Sequence, residues 1–536
     1  MAGQNHTSVY GPSHMAWSLS LVRSGVRHFR ILDSGQVTRF RIHFLIIIGS
    51  LSLRRAKYGK IPKVNSRETF EFSKGRVKQE FLRNARKLIE GGLQMSRVFR
   101  IETESGPHVY LSHEFAQEIR DDERLSLSKY LVQELLVNIP GLEPFREGTV
   151  IDGVMQDAVR IRLTQTLGKL AEPLAEEADV AFQRIWGESP EWREVVLKKT
   201  MVDLIAQLST RVFLAEMCRN EEWLQLSANY ASNAFRAITQ LRVWPISLRP
   251  FVHWFMPSFK RVRADVKHSR QMIRPVLAAR KVEKEQAIKD GKQPRKYNDA
   301  CEWMEEVAKG RPYDPSVVQL TFSFSAIHTT GDLITQLLID LCTHPEYLEP
   351  LRQEIRSVVG KHGWTKTTIY NLALMDSFIK ESQRLKPPAM VTMNRTASAD
   401  IQLSEGTKLP KGSRIAVSAV NMWDPKIYPD PSKFDGYRFL NMRKNSENGN
   451  AAHFVTIGPN HLAFGLGKHA CPGRFFVGTE VKVALCFLLL RYDMELSDAE
   501  NSKPIINGRT MAANVFARIR IRRREEDVPL IPVGPF

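Results

Sequence analysis

Cysteine is scarce: 536 residues carry five, Cys218, Cys301, Cys342, Cys471 and Cys486. They are scattered, odd in number and form no C-x-x-C pair, which argues against a disulfide framework and for a reducing compartment. Long hydrophobic runs are missing too. The N-terminal run Phe44–Leu53 has ten residues, half of the about 20 that a bilayer-spanning helix needs. It begins forty residues in and no small-x-small cleavage site follows it, so it does not read as a signal peptide. Repeats and low-complexity linkers are absent. Hydrophobic residues at 43% and charged residues at 25% are ordinary, which excludes a disordered chain, a collagen and a multi-span membrane protein. The length allows two or more domains, or one large enzyme domain.

Negative charge is in short supply. Lys and Arg number 77 against 58 Asp and Glu, a net charge of +19. Residues 1–60 hold Asp33 as the one acid against nine basic side chains, a local +8. With residues 44–53 flanked by Arg41 and Arg54-Arg55, this segment reads as a basic membrane-associating region or an irregular extension. Phospholipid, nucleic acid or an acidic protein would each suit such charge. A second basic cluster, Arg518–Arg524, alternates with isoleucine, the period of a strand with one wet face, and is expected at a sheet edge.

From residue 61 onward the periodicity is mostly helical, and the chain reads as mainly α with a minor β-sheet. Amphipathic stretches cover 75–93, 113–137, 157–182 and 190–217. Residues 222–280 mix aromatics, arginine and proline, and 280–298 reads as an exposed connection. A long helix is predicted next: Asp314-Pro315 supplies the cap and a first-turn proline, and Thr343-His344-Pro345 the stop. At 1.5 Å per residue it spans about 42 Å, enough to cross a domain. Strand signals follow at 391–420, where Asp400–Leu403 and Arg414–Ser418 flank a Pro410-Lys411-Gly412 turn, and helix returns at 473–491.

One cysteine stands apart. Around Cys471 the chain reads Phe464-Gly-Leu-Gly-Lys-His-Ala-Cys-Pro-Gly-Arg-Phe475. Three glycines this close mean a tight backbone lying against something flat or bulky. Pro472 opens an apolar run, which places Cys471 at a helix N-terminus where amides and the macrodipole favour a thiolate. Such a thiolate suits axial ligation of haem iron. A zinc site from His461, His469, Cys471 and Cys486 fits no usual spacing, and a haem-free nucleophilic cysteine is the other rival.

The pattern F-G-x-G-x-x-x-C-x-G, carried by Phe464, Gly465, Gly467, Cys471 and Gly473, resembles the haem-binding signature of the cytochrome P450 family. Glu381-Ser-Gln-Arg384 is similar to the family's E-x-x-R, whose charged pair shares a helical face. Arg438, in Pro431-Ser-Lys-Phe-Asp-Gly-Tyr-Arg-Phe439, matches the arginine that locks onto that pair, with Gly436 replacing a proline. On the long helix Ala326, Thr329 and Thr330 match the oxygen-side motif, and His328 stands where the family has an acid. The resemblance gives Thr329 a hydroxyl role beside bound dioxygen; His328 either joins the proton relay or packs as structure. His469 and Arg395 match positions that hold the haem propionates, whose burial requires donors. Arg160 or Arg162 would supply a further one.

The resemblance covers about residues 60–525 and is nearest to fungal members of terpenoid, indole-diterpene or gibberellin-type pathways. It implies the P450 fold over 61–536, a helix-rich single domain with the long helix over the haem. It implies a haem-thiolate monooxygenase: haem b on Cys471, O2, and NADPH electrons delivered by a cytochrome P450 reductase carrying FAD and FMN. The implied substrate is a small apolar polycyclic terpenoid, with Phe322, Phe324, Met390, Val391 and Thr392 as candidate wall. Lys468 and Arg474 would face an acidic reductase, the implied location is the cytosolic face of the endoplasmic reticulum membrane, and nucleic acid drops out as a partner. Two alternatives remain: a haem-thiolate isomerase or peroxygenase working without a reductase, and a non-catalytic haem protein. The first often lacks the oxygen-side threonine; the second leaves Thr329, Glu381, Arg384 and Arg438 unexplained.

Overall fold

The long helix forms where its caps demand. It runs Pro315–Thr343, 29 residues, and is buried along most of its length. The Asp314 carboxylate accepts from the amides of Ser316 and Val317 at 3.0 and 3.3 Å, satisfying donors that a helix start leaves free. The computed structural model describes residues 58–59, 61–66, 71, 73–150, 153–445 and 449–525. The apolar run at 44–53 lies outside them. No helix among the described residues is long and apolar enough to cross a membrane.

Helices dominate, and short strands make four small sheets among the described residues. In chain order the first strands are β1 (Val98–Thr103), β2 (Gly106–Leu111), β3 (Leu125–Ser126), β4 (Arg193–Val196) and β5 (Val391–Ala397). Then come β6 (Ile401–Gln402), β7 (Lys408–Leu409) and β8 (Arg414–Ser418). The last are β9 (Tyr492–Leu496), β10 (Ile505–Asn507), β11 (Thr510–Ala512) and β12 (Arg518–Arg523). The largest sheet has the order β1-β2-β8-β5-β3.

Several sequence expectations need correcting. β12 is no edge: it lies between β4 and β9, buries Ile519 and Ile521, and turns Arg518 and Arg522 outward onto Glu194 and Asp493. Alternation reports faces, not lateral neighbours. Asp400–Leu403 and Arg414–Ser418 do not pair with each other; β6 pairs with β7, and β8 lies between β2 and β5. The 113–137 stretch divides into helices Ala116–Ile119 and Leu127–Leu135 around β3. The 157–182 stretch is broken by a π-helical turn, Ala158–Leu163. Helix Leu197–Phe213 starts only after β4, and helix Pro257–Lys289 runs well into the stretch read as a connection.

Helix Ala373–Leu385 carries Glu381 and Arg384, both fully buried. Arg384 Nε and Nη2 each donate to the Glu381 carboxylate at 2.8 Å. Its Nη1 donates to the carbonyls of Met422 and Pro431 at 2.7 and 2.8 Å. Arg438 Nε donates to the same carboxylate at 3.1 and 3.2 Å. Burying charges costs several kcal/mol per ion, which only a complete set of bonds offsets.

Gly436 replaces a proline for a local reason. Its amide donates to Tyr347 Oη at 3.0 Å, and a Cβ there would lie 2.6 Å from Tyr347 Cε1. Gly436→Pro should therefore destabilise the fold by about 3 kcal/mol, read as a lower Tm; an unchanged Tm would refute this fit.

Helix Arg474–Arg491 buries Glu480 against Ser209, whose Oγ donates to one carboxylate oxygen at 2.7 Å while the other oxygen has no partner. Burial pushes this carboxyl from 4.5 up to about 8. The fold favours the protonated form, so its contribution is full below pH 4.5 and is lost as pH rises toward 8. Glu480→Gln should flatten that part of the Tm-against-pH curve. A slope equal to that of the wild type would remove Glu480 as its source.

Candidate functional site

The cysteine loop is shaped by backbone that only glycine adopts easily. Gly465 and Gly467 have φ of +73° and +77°. At Gly467 space is closed as well: a Cβ would lie 2.7 Å from both Arg120 Cβ and Asp121 Oδ1. The loop thus folds tightly against residues 120–121, and the Lys468 amide donates to Asp121 Oδ1 at 2.7 Å. It closes on itself when the Cys471 amide donates to the Phe464 carbonyl at 2.9 Å. The Phe464 ring meets Phe454 edge-on, centroids 5.3 Å apart.

Gly473 caps the following helix, so Cys471 lies two residues before the cap rather than in the first turn. The amides of Gly473 and Arg474 donate to its sulfur and the Arg474 guanidinium adds positive charge, yet burial outweighs them and pushes the thiol up. The expectation of a thiolate from the helix end alone is therefore corrected. The amides are placed to stabilise a thiolate once a cation binds the sulfur, because a coordinating metal deprotonates a thiol. Burial drives Cys218, Cys301 and Cys342 up to about 12 and Cys486 higher.

On the long helix, Ser325 and Thr329 lie one turn apart and are exposed within a largely buried element. Thr329 Oγ1 donates back to the Ser325 carbonyl at 3.2 Å, a bond that leaves the helix unbroken. His328 turns elsewhere. Its Nε2–H donates to the Ala228 carbonyl of helix Glu221–Arg242 at 2.7 Å, and burial lowers its pKa. That bond ties two helices together.

A cationic group surrounds the loop. β5 shifts register between Thr392 and Arg395, with Met393 at φ +51°, a bulge that re-aims its side chains. Arg395 is buried and pushed down to about 10 by that burial, and it forms no ion pair among the described residues. His469 is driven down to about 4 by burial and by the charges of Arg395, Lys468 and Arg160. Arg160, in the π-helical turn, donates to the Lys468 carbonyl at 3.2 Å, whereas Arg162 pairs with Glu306 at 2.9 Å. Of the two arginines, Arg160 is the one that touches the cysteine loop. Arg395, Arg160 and Lys468 face Asp121 as the carboxylate common to their surroundings. That excess suits the burial of two further carboxylates. A haem placed on Cys471, with its propionates among these groups, fits the donor set.

The remaining expected residues divide between the cysteine loop and the core. Arg474 is turned inward, donating to the Cys471 and Val455 carbonyls at 2.9 and 3.1 Å, so of the two basic residues only Lys468 is exposed. Of the candidate wall, Phe322 packs on Phe213 in the core, centroids 5.0 Å apart, and Met390 and Val391 are fully buried. Phe324 meets Phe145 edge-on at 4.6 Å. Thr392 Oγ1 lies 3.7 Å from the Cβ position of Gly465. Sequence reasoning missed the Arg120-Asp121 turn against Gly467, which no motif marks.

The family model of cytochrome P450 matches residues 97–517. The cytochrome P450 monooxygenase adrA of Penicillium rubens is 43% identical over 89% of this chain and 94% of its own. Cytochrome P450 monooxygenase easM of Aspergillus fumigatus is 42% identical over 90% of this chain and 94% of its own. Cytochrome P450 monooxygenase 1 of Gibberella fujikuroi is 43% identical over 81% of this chain and 99% of its own. Among solved structures, the retinoic acid bound cyanobacterial CYP120A1 superposes with a TM-score of 0.59 at 19% identity, covering 83% of this chain and 96% of that one, and supports the fold. With matching extent, fold and cysteine loop together, the chain belongs to the cytochrome P450 family and is a haem-thiolate monooxygenase.

Proposed function

We propose that this monooxygenase takes electrons from NADPH through a flavoprotein reductase and oxidises an apolar polycyclic terpenoid at the cytosolic face of the endoplasmic reticulum membrane. One observation carries the reading: an amide-lined cysteine sulfur stands beside buried Arg395 and a cationic group that outnumbers its carboxylates. When bound, haem supplies dioxygen activation and insertion of one oxygen atom into a C–H bond. Cys471 would hold the iron, with the Gly473 and Arg474 amides spreading the charge of its thiolate. Arg395, His469 and Arg160 would hold the propionates. Thr329 Oγ1 would hold and pass a proton, its bond to the Ser325 carbonyl being long enough to exchange. Exposed Lys468 would meet acidic groups of the reductase. The terpenoid preference rests on the likeness of the motifs to fungal family members.

Support for a membrane surface comes from residues 243–255, where Val243, Phe251 and Phe255 are 84%, 68% and 88% exposed beside exposed Trp244, Ile246 and Trp254. Large apolar side chains crowded on one exposed connection, with Arg249 and Arg263 nearby, suit an anionic lipid interface. Phe251→Ser with Phe255→Ser should reduce cosedimentation with anionic vesicles severalfold without changing Tm. Equal cosedimentation would remove this surface.

Cys471→Ala should abolish the thiolate-type spectrum of the reduced carbon monoxide complex; persistence of that spectrum would refute the ligand. Thr329→Ala should keep haem but release most reducing equivalents as peroxide, and tight coupling in that variant would sink the proton role. Turnover that does not depend on NADPH and a reductase would favour the isomerase or peroxygenase reading.

A further inference from the structure

Arg509 lies in the two-residue turn between β10 and β11, and the turn is pinned inward. The Gly508 amide donates to the Leu82 carbonyl at 2.7 Å, and the Arg509 carbonyl accepts from the Met390 amide at 2.9 Å. Its guanidinium Nη1 donates to Asn394 Oδ1 at 3.1 Å, and its central carbon is 5.7 Å from the Tyr130 ring centroid. The neighbouring carboxylate, Glu134, is already held by Arg414 at 2.8 Å and Arg242 at 2.9 Å. Glu104 adds a second carboxylate near Tyr110. His108, on β2, is pushed down to about 3 by burial and stays neutral. Three guanidinium groups thus face two carboxylates, and Arg509 forms no ion pair among the described residues.

The phenols beside it are unsatisfied. Tyr110 and Tyr130 are buried; the Tyr110 hydroxyl has no hydrogen-bond partner, and that of Tyr130 meets only the Arg509 guanidinium, which cannot accept its proton. Burial pushes Tyr130 up to about 12 and Tyr110 higher, so both keep their protons and can donate. Buried donors without acceptors are costly, and so is a partly buried cation without a counter-charge. An anion resolves both. The cysteine loop is near: Arg395 Nη1 donates to the Asn394 carbonyl at 2.8 Å, and Thr392, two residues before Asn394, abuts Gly465.

We propose that Arg509, with the hydroxyls of Tyr130 and Tyr110, forms a subsite for the carboxylate of an otherwise apolar substrate, so that the enzyme prefers a terpenoid acid to its neutral ester. This rests on the monooxygenase reading of the Cys471 site. One surplus charge and two neutral donors match a monoanion, and the planar guanidinium matches the two oxygens of a carboxylate.

The test uses holoenzyme titrated with abietic acid and with methyl abietate, read by the spin-state change of the haem band. Wild type should bind the acid about 10-fold tighter than the ester, as a charge-assisted bond predicts. R509Q should erase that ratio while keeping ester affinity, and Y130F should reduce it. Each variant is checked by Tm and by the reduced carbon monoxide spectrum. No acid preference in wild type, or an undiminished ratio in folded R509Q, would overturn the proposal. A folded R509Q that no longer retains haem would assign Arg509 to the haem carboxylates and overturn it equally. Should R509Q not fold, Y130F and R509K decide, both being expected to lower the ratio and an unchanged ratio counting against the subsite. If wild type lacks the thiolate spectrum, the Cys471 reading fails, and the acid-to-ester ratio read by thermal shift still decides the subsite.

Discussion

A single buried carboxylate, Glu381, organises the approach to the cysteine loop. Two arginines, Arg384 and Arg438, converge on it and spend their remaining donors on carbonyls of residues 422–433. Neighbouring groups carry the restraint onward. Lys380 donates to the carbonyls of Ala451 and His453 at 2.7 and 2.8 Å. Asn421 and Tyr428 donate to those of Pro459 and Asn460 at 3.0 and 3.1 Å. Residues 451–460 are thereby fixed four residues before Phe464, where the loop begins. Removing one partner would leave an uncompensated buried charge, at a cost of about 3–5 kcal/mol.

Positive charge is distributed by task. On β12, arginines meet Glu194 and Asp493 on a wet face, where ion pairs contribute little. Around the cysteine loop Arg395, Arg160 and Lys468 outnumber Asp121, their common carboxylate, which makes that region ready for anionic groups. At Arg509 a further guanidinium is left over beside two phenols whose protons find no acceptor. Net charge alone does not distinguish these three situations; pairing does.

The legible parts of the sequence were those in which one residue type is physically compulsory. Asp314-Pro315 had to start a helix, Gly465 and Gly467 had to hold left-handed backbone, and Glu381 with Arg384 had to share a face. What stayed hidden depends on distant neighbours. Nothing local in Arg518–Arg523 announces that β4 and β9 flank it on both sides. Arg160 and Arg162, two apart on one helical turn, face different sides, one meeting Lys468 and the other Glu306. The helix-end argument for a Cys471 thiolate left out burial, which opposes it. The sequence left His328 open between a relay and a structural role, and a carbonyl on another helix claims its ring.

The central claim is that Cys471 binds iron through its sulfur while the Gly473 and Arg474 amides support the resulting charge. X-ray absorption at the iron edge of the purified holoenzyme tests it most directly. The account predicts a sulfur neighbour in the first shell of the resting wild-type enzyme, missing in Cys471→Ala. A first shell of nitrogen and oxygen alone in the wild type would contradict it.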